Sequence, residues 1–294
     1  MSIPDIAFAG HGIDRADHLR ADPAGLAEAR NRPDARLLAL DGIAPVLGEG
    51  DVLVWRDLSG VEAGAELVLL GLQGGVPLFA PVPAAGDLRP AFEQRPAWEM
   101  MQLLGAQELA LYGGARSVVD WHARHRFCAN CGAPTLLAKG GWQRNCTSCD
   151  AQHFPRVDPV AIMLVEHEGR VLLGRGLNYP DRLYSALAGF IEPGESIEEA
   201  VAREVFEEAG VRVRDVSYIA SQPWPFPSQL MLGCHAYADD PALAIDATEI
   251  ADARWFTREE VAEAIASGDG EGAAFRPPLG RAIASYLLRL WLAR

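Results

Sequence analysis

Short apolar runs separated by Gly and Asp mark the first part of the chain: Leu37–Leu40, Val52–Trp55, Leu67–Leu72 and Val76–Phe79. Runs of this length between turn-forming residues predict an antiparallel sheet. A stretch rich in Pro, Gly and Ala, Pro81–Gly86, leads on to two segments of helical pattern, Trp98–Leu104 and Gln107–His122. Later in the chain Val160–Val165 and Val171–Gly174 predict a hairpin around Glu168-Gly169, and Leu183–Phe190 a further strand. Ile197, Ala200, Val201 and Val205 then recur at helical spacing. Ser196 and Glu199 form a capping box ahead of them, and Gly210 sits where a C-terminal cap belongs. Strands follow at Val211–Ile219, Gln229–Ala238 and Ala253–Phe256. Thr257 with Glu260 caps a short helix, and Leu279–Leu292 forms the last one. Strands and helices mixed in this order predict an α+β chain whose C-terminal part is an α/β/α sandwich rather than a doubly wound sheet.

Composition narrows the partners. The chain has 294 residues, 49% of them apolar, enough for about two domains with cores of their own. Lys and Arg total 26 against 40 Asp and Glu, a formal charge of −14. That surplus repels a phosphate backbone over most of the surface and suits anionic ligands held through divalent cations. No run approaches the ~18 apolar residues of a membrane span, so no membrane partner is expected. Met1 to Arg20 lacks a basic start and an apolar stretch, which predicts a soluble, cytoplasmic protein.

Four of the five cysteines, Cys128, Cys131, Cys146 and Cys149, follow the pattern C-x2-C-x14-C-x2-C. Each C-x2-C turn presents two thiolates, and four thiolates complete a tetrahedral zinc site. Two disulfides are the alternative, disfavoured in a reducing compartment. With all four ligands from cysteine no position stays open for water, so the metal is structural. Cys234 reads as a buried strand residue. The cysteine unit divides the chain into an N-terminal mixed α/β domain (1–124), a zinc ribbon (125–156) and a C-terminal domain (157–294). Nothing before the ribbon clusters acids, histidines or glycines in a catalytic pattern.

The segment from Gly189 to Val211 carries the chemistry. Glu204, Glu207 and Glu208 stand at i, i+3 and i+4, on one face of the predicted helix. Such a cluster is either a solvated acidic surface or a hard-cation site, since all-oxygen ligands suit Mg²⁺ or Mn²⁺. Arg203 and the Gly-bearing loop ahead of the helix favour the second reading. Gly189, Glu195, Arg203, Glu204, Val205, Glu207, Glu208, Gly210 and Val211 resemble the Nudix box, G-x5-E-x7-R-E-U-x-E-E-x-G-U, at every fixed position. The resemblance implies hydrolysis of a nucleoside diphosphate linked to another moiety. It makes Glu204, Glu207 and Glu208 the metal-associated catalytic acids, with Arg203 and Glu195 orienting them.

Downstream, Ser221 to Pro227 reads SQPWPFP, a proline-stiffened aromatic segment that offers stacking faces or packs as a buried loop. It resembles the SQPWPFP-x-S array of NADH pyrophosphatases, the NudC type of Nudix hydrolase, as do the zinc ribbon, His125 to Cys128 and Leu187 to Phe190. The last Ser of the array falls on Gln229, with Ser228 one place earlier. That resemblance implies a metal set of Ala188 through its backbone, Glu204, Glu208 and Glu249. It also implies substrate contacts from Phe154, Phe190, Gln222, Pro223, Trp224, Pro225, Phe226, Pro227, Ser228 and Gln229, and from Ala284. The expected substrates are NADH and NAD, cleaved to AMP and nicotinamide mononucleotide, together with NAD-capped RNA. A homodimer is expected. The competing readings are a Nudix hydrolase of another nucleoside diphosphate such as ADP-ribose, a non-catalytic binding module, and a Nudix-fold isomerase.

Overall fold

The computed structural model describes residues 6–10, 12–62, 64–86, 100–268 and 271–294. The chain divides into two compact units. One comprises Met1–Ala7, Asp158–Pro223 and Gln229–Arg294, the other Phe8–Val157 and Trp224–Ser228.

The N-terminal unit begins with two helices, α1 (Asp17–Arg20) and α2 (Pro23–Asn31). The apolar pattern did not announce α2, but its start is written in the chain. Asp22 caps it by accepting from the Ala24 N–H at 3.0 Å, and Pro23 takes the first turn, where no donor is needed. Strands β1 (Arg36–Leu38), β2 (Leu40–Asp41), β3 (Ala44–Pro45), β4 (Trp55–Arg56), β5 (Leu67–Gln73) and β6 (Val76–Pro81) follow. Four of them form a sheet in the order β4-β1-β6-β5.

This sheet is mixed, not antiparallel as expected. β1 runs parallel to β6, with Leu37 opposite Phe79. Alternation of apolar residues does not encode strand direction, and the chain from Leu38 to Val76 is long enough for the crossover a parallel pair requires. The expected strand Val52–Trp55 shrinks to Trp55–Arg56, Leu53 making only an isolated bridge to Leu47. Leu69 and Phe79 on one face of the sheet pack on Ala16 and Ala29 of the helical layer.

Helices α3 (Met100–Leu103) and α4 (Ala106–Arg124) come next. The expected start of α3 at Trp98 lies outside the described residues. The ribbon strands β7 (Thr135–Ala138), β8 (Gln143–Cys146) and β9 (Gln152–His153) form a three-stranded antiparallel sheet. Arg144 ties the ribbon into this unit. It is almost fully buried, donating to Thr135 Oγ1 at 2.8 Å, to Glu66 Oε1 at 2.9 Å and to His122 Nδ1 at 3.0 Å. The opposite ring nitrogen of His122 donates to Gly141 O at 2.6 Å, so the ring is the neutral Nε2–H tautomer.

In the C-terminal unit β10 (Asp158–His167), β11 (Arg170–Gly176), β12 (Leu187–Phe190), β13 (Val213–Trp224), β14 (Gln229–Ala238) and β15 (Ile250–Phe256) share one sheet. Its order is β13-β14-β10-β11-β15, with β12 also paired to β10. β10 and β14 are parallel, whereas β11 and β12 run antiparallel to β10. Helices α5 (Ile197–Ala209), α6 (Arg258–Ser267) and α7 (Ile283–Leu292) cover the two faces. Alternate residues of β10 face opposite layers. Ala161, Met163 and Val165 pack with Val201 and Val205 of α5, while Ile162 and Leu164 pack with Leu287, Leu288 and Trp291 of α7. This is the expected α/β/α sandwich.

Several boundaries differ from expectation, among them β15, which begins at Ile250 rather than Ala253. Of Leu183–Phe190 only β12 is a strand, Leu183 and Ser185 making isolated bridges. The strand expected over Val211–Ile219 runs on to Trp224, because β13 lies at the sheet edge and Pro223 needs no ladder donor there. The last helix begins at Ile283 rather than Leu279, where the Ile283 N–H finds Gln222 Oε1 at 2.9 Å.

Candidate active site

Local chemistry sets the two ends of α5. The Ser196 side chain accepts from the Glu199 N–H at 3.3 Å, and Glu199 returns the bond to the Ser196 N–H at 2.8 Å. Gly210 ends the helix at φ 71°, and a Cβ there would meet the Ala244 Cβ at 2.7 Å. Between these caps, Ala200, Val201, Val205 and Ala209 face the core. Glu204 and Glu208, one turn apart, are also buried, at 9% and 8% exposure, whereas Glu207 is exposed. Two buried acids on an apolar helix face are what a solvated surface cluster would not show.

Strand β12 lies beside them. A Cβ on Gly189 would fall 1.8 Å from the Glu204 carboxyl carbon, so only glycine admits this carboxylate. Arg203 organises the rest. Its Nε and Nη2 grip Glu195 at 2.6 and 2.9 Å, and Nη1 reaches Glu204 at 2.8 Å and Glu207 at 2.9 Å. Nη2 also donates to Phe190 O at 2.8 Å. The guanidinium, with the Glu192 N–H, holds the Glu195 carboxyl down at about 2. Burial raises the Glu204 carboxyl against the pull of Arg203.

Glu208 has no such relief. Its Oε2 is buried without a hydrogen-bond partner, and burial, then Glu204 and Glu249, push its carboxyl up to about 8. Glu249 reaches this neighbourhood through a loop bonded to the end of α5. Ala244 N–H donates to Ala209 O at 2.8 Å, Asp246 N–H to Glu208 O at 3.1 Å, and Glu249 N–H to Asp246 O at 3.1 Å. Ala188 lies in β12 opposite Ile162. A desolvated acid cluster with an orphaned oxygen fits the donor set of a hard divalent cation.

The four cysteines present a different kind of centre. Their sulfurs all lie within 4.8 Å of one another, and among the described residues no other group of His, Cys, Asp and Glu is gathered so tightly. All five cysteines are free, with Cys128–Cys149 and Cys131–Cys146 sulfur separations of 3.6 and 3.5 Å, which excludes the two-disulfide alternative. Backbone N–H groups of Asn130 and Ser148 point at Cys128 and Cys146 sulfurs at 3.4 and 3.3 Å. Donors aimed at sulfur, with four thiolates in reach of one point, make a closed structural zinc site. Cys234 is buried in β14, as read.

The proline-aromatic array is divided between the units. Gln222 is interior: its amide donates to Ala7 O and Arg281 O at 3.1 and 3.2 Å and its oxygen caps α7, leaving no group for a ligand. Pro223 is exposed, Trp224 half-buried and Pro225 buried. Phe226 is fully buried, edge-on to Phe8 and Trp224 at 5.9 and 5.2 Å, with the Arg116 guanidinium over its ring. The expected stacking face of Phe226 is therefore covered by Phe8, Trp224 and Arg116. A cis peptide joins Phe226 to Pro227, whose carbonyl accepts from Ser117 Oγ at 3.3 Å. Ser228 donates to Arg156 O at 2.9 Å, and Gln229 opens β14. Ala284 lies in the first turn of α7 and is buried in the core. Phe154 and Phe190 are the exposed rings of the expected set, at 58% and 53%.

An α/β/α sandwich with its acids on the helix that follows a glycine-bearing strand is a Nudix domain, and the family model described as NUDIX domain matches residues 155–274. Models described as NADH pyrophosphatase zinc ribbon domain and NADH pyrophosphatase-like rudimentary NUDIX domain match residues 123–154 and 24–121. The NAD-capped RNA hydrolase NudC of Mycobacterium bovis is 41% identical over 297 residues, covering 96% of this chain and 93% of its own. The chain belongs to this NudC-type, NADH-pyrophosphatase family of Nudix hydrolases. The human NAD-capped RNA hydrolase NUDT12 is 47% identical over 199 residues, 64% of this chain, and the match spans only 43% of that relative's length. A crystal structure of a NUDIX hydrolase from Nitrosomonas europaea is similar over 46% of this chain and 78% of its own, at 26% identity and a TM-score of 0.41.

Proposed function

We propose that this protein hydrolyses the pyrophosphate bond of NADH and NAD to AMP and nicotinamide mononucleotide, and removes NAD caps from RNA by the same cut. One observation carries the reading: buried Glu204 and Glu208, cradled by Gly189, with an unpartnered Glu208 oxygen and Glu249 brought alongside. Glu204, Glu208, Glu249 and the Ala188 carbonyl would hold Mg²⁺ or Mn²⁺. When bound, such ions lower the pKa of the attacking water and neutralise charge developing on the phosphates.

The chain's own groups do the remaining work. Arg203, locked by Glu195, holds Glu204 in place and ties the loop at Phe190 to the helix. Glu207 is engaged by Arg203, whereas Glu208 Oε2 makes no hydrogen bond, so Glu208 is the better base once a bound cation keeps it ionised. The exposed Phe190 ring offers a stacking face for a base or nicotinamide, and Phe154 and the half-buried Trp224 offer others. Phe154 has no hydroxyl and contributes its ring alone.

The organisation that accompanies this reading is an N-terminal domain over 1–124, a zinc ribbon over 125–156 and a Nudix domain over 157–294. A cytoplasmic homodimer is part of the same proposal. No helix among the described residues is long and apolar enough to cross a membrane.

The deciding experiment is chromatographic product analysis after incubation with NADH, NAD, ADP-ribose and an NAD-capped oligonucleotide, each with Mg²⁺ or Mn²⁺. AMP and nicotinamide mononucleotide from the dinucleotides, faster than cleavage of ADP-ribose, is the expected result. Preferred cleavage of ADP-ribose moves the substrate assignment, and a chain that takes up neither cation removes the catalytic reading altogether.

A further inference from the structure

Beyond the four cysteines, one further side chain reaches the zinc site. His153 Nε2 lies 3.3 Å from Cys128 Sγ, which also accepts from the Asn130 N–H at 3.4 Å. Cys146 is served by backbone alone, from the Ser148 N–H at 3.3 Å and the Cys149 N–H at 3.4 Å. Cys128 and Cys146 are buried alike, at 4% and 5% exposure, whereas Cys131 and Cys149 are exposed. The imidazole stands outside the group of four sulfurs, so it approaches a ligand rather than the point the sulfurs share.

Strand pairing alone does not account for this contact. The β8–β9 ladder, with Arg144 opposite His153, already places the β9 backbone. The half-buried ring is free to turn to water, yet it reaches back 25 residues to a sulfur. The direction of the bond follows from the metal. A free thiol can donate to an imidazole nitrogen, but a zinc-bound thiolate has no proton to give. With zinc in place the bond runs one way, from Nε2–H to Sγ. Four thiolates outweigh the charge of one divalent ion, in a chain already at −14, so a donor aimed at sulfur stabilises the loaded site.

We propose that His153 is a positioning residue of the zinc site: its Nε2–H donates to the Cys128 thiolate, slows loss of the metal and blunts this sulfur toward electrophiles. Cys146, equally buried but without a side-chain donor, is the internal reference. Cys131 and Cys149 are then the sulfurs at which a thiol-directed reagent opens the site. Alkylation there forms a carbon–sulfur bond, expels the leaving group as an anion and takes that sulfur's charge from the metal. None of this rests on the hydrolase reading above.

Zinc loss from the full-length, zinc-loaded protein to a chromogenic chelator tests the bond. His153→Leu should release zinc about tenfold faster than wild type. His153→Gln keeps an N–H donor of similar reach and should release it at close to the wild-type rate. Equal rates in wild type and His153→Leu, or a Gln variant as fast as the Leu variant, overturn the proposal.

A pulse of iodoacetamide, read by peptide mass spectrometry, supplies the second readout. In wild type Cys131 and Cys149 should be labelled first, Cys128 and Cys146 last. In His153→Leu the labelling of Cys128 should rise against that of Cys146, a change that equal burial does not produce. Early labelling of Cys128 in wild type, or an unchanged ratio in the variant, overturns the proposal. Nitrogen NMR spectra of the imidazole in zinc-loaded wild type need no variant, and they keep the test decisive should His153→Leu fail to fold. They should show a proton on His153 Nε2, and a bare Nε2 overturns the assignment.

Discussion

The ribbon and the acidic helix are both built to hold cations, and they do so by opposite means. In the ribbon two C-x2-C turns deliver every ligand, and backbone N–H groups of the same turns point at the sulfurs. The site is closed, local and complete. On α5 the helix supplies Glu204 and Glu208, but the glycine that makes room for Glu204 comes from β12, and Glu249 comes from a loop bonded to the helix end. There Glu204 and Glu208 are buried ahead of their needs, with a Glu208 oxygen unpaired. A structural metal site satisfies its donors; a catalytic one keeps some unsatisfied, and that residual cost is what a cation and substrate relieve.

The contrast is broken most forcefully at the ribbon. Cys128→Ser removes one of four thiolates. Structural zinc contributes on the order of 10 kcal/mol to small metal-bound units. The expected outcome is loss of zinc and unfolding of the N-terminal unit, read by metal analysis and circular dichroism. A stable, zinc-free and fully active variant contradicts a structural role.

Glu208→Gln should do the reverse. Turnover should fall by about 10³-fold or more while the fold survives. Stability sharpens the difference. A carboxyl raised to about 8 in the folded state contributes stability below its ordinary 4.5 and loses it as pH rises through 8. Metal-free wild type should therefore lose stability across that window and Glu208→Gln should not, so that at pH 8 the inactive variant melts higher. Equal melting profiles would remove Glu208 from the desolvated cluster.

The N-terminal unit has the opposite pH sensitivity. Burial, and the Arg144 donor to Nδ1, lower His122 from 6.5 to about 4. A depressed folded pKa gives stability that is present above 6.5 and lost as pH falls through 4, at most about 3 kcal/mol. His122→Gln keeps a donor for Gly141 and an acceptor for Arg144 but does not titrate. Its acid unfolding midpoint, followed by tryptophan fluorescence, should shift to lower pH, and coincident midpoints would refute the role of this ring. The smallest effect is expected at Ser196→Ala. Loss of the α5 cap should lower stability by about 1 kcal/mol, seen as a shifted urea midpoint with the slope unchanged.

Much of this was legible in the chain because the signals are local. The capping box, the stripe of Ala200, Val201 and Val205, and the C-x2-C turns are set by residues three or four apart, and each forms where expected. The aromatic array was less legible. Spacing marks Gln222 and Phe226 as unusual but does not say that one caps a helix 61 residues away and the other is enclosed by Phe8 and Trp224. Strand direction in the first sheet was likewise invisible, since the same alternation serves a parallel or an antiparallel neighbour.

By itself the sequence determined the elements, the zinc ligands and the helix face that carries the acids, since each depends on dihedral preference and spacing along one stretch of chain. Only the tertiary structure decided which acids are desolvated, that Gly189 must lack a side chain beside Glu204, and that His153 meets the Cys128 sulfur. Burial and charge proximity are properties of distance in space, and residues far apart in the chain acquire them only when the chain folds.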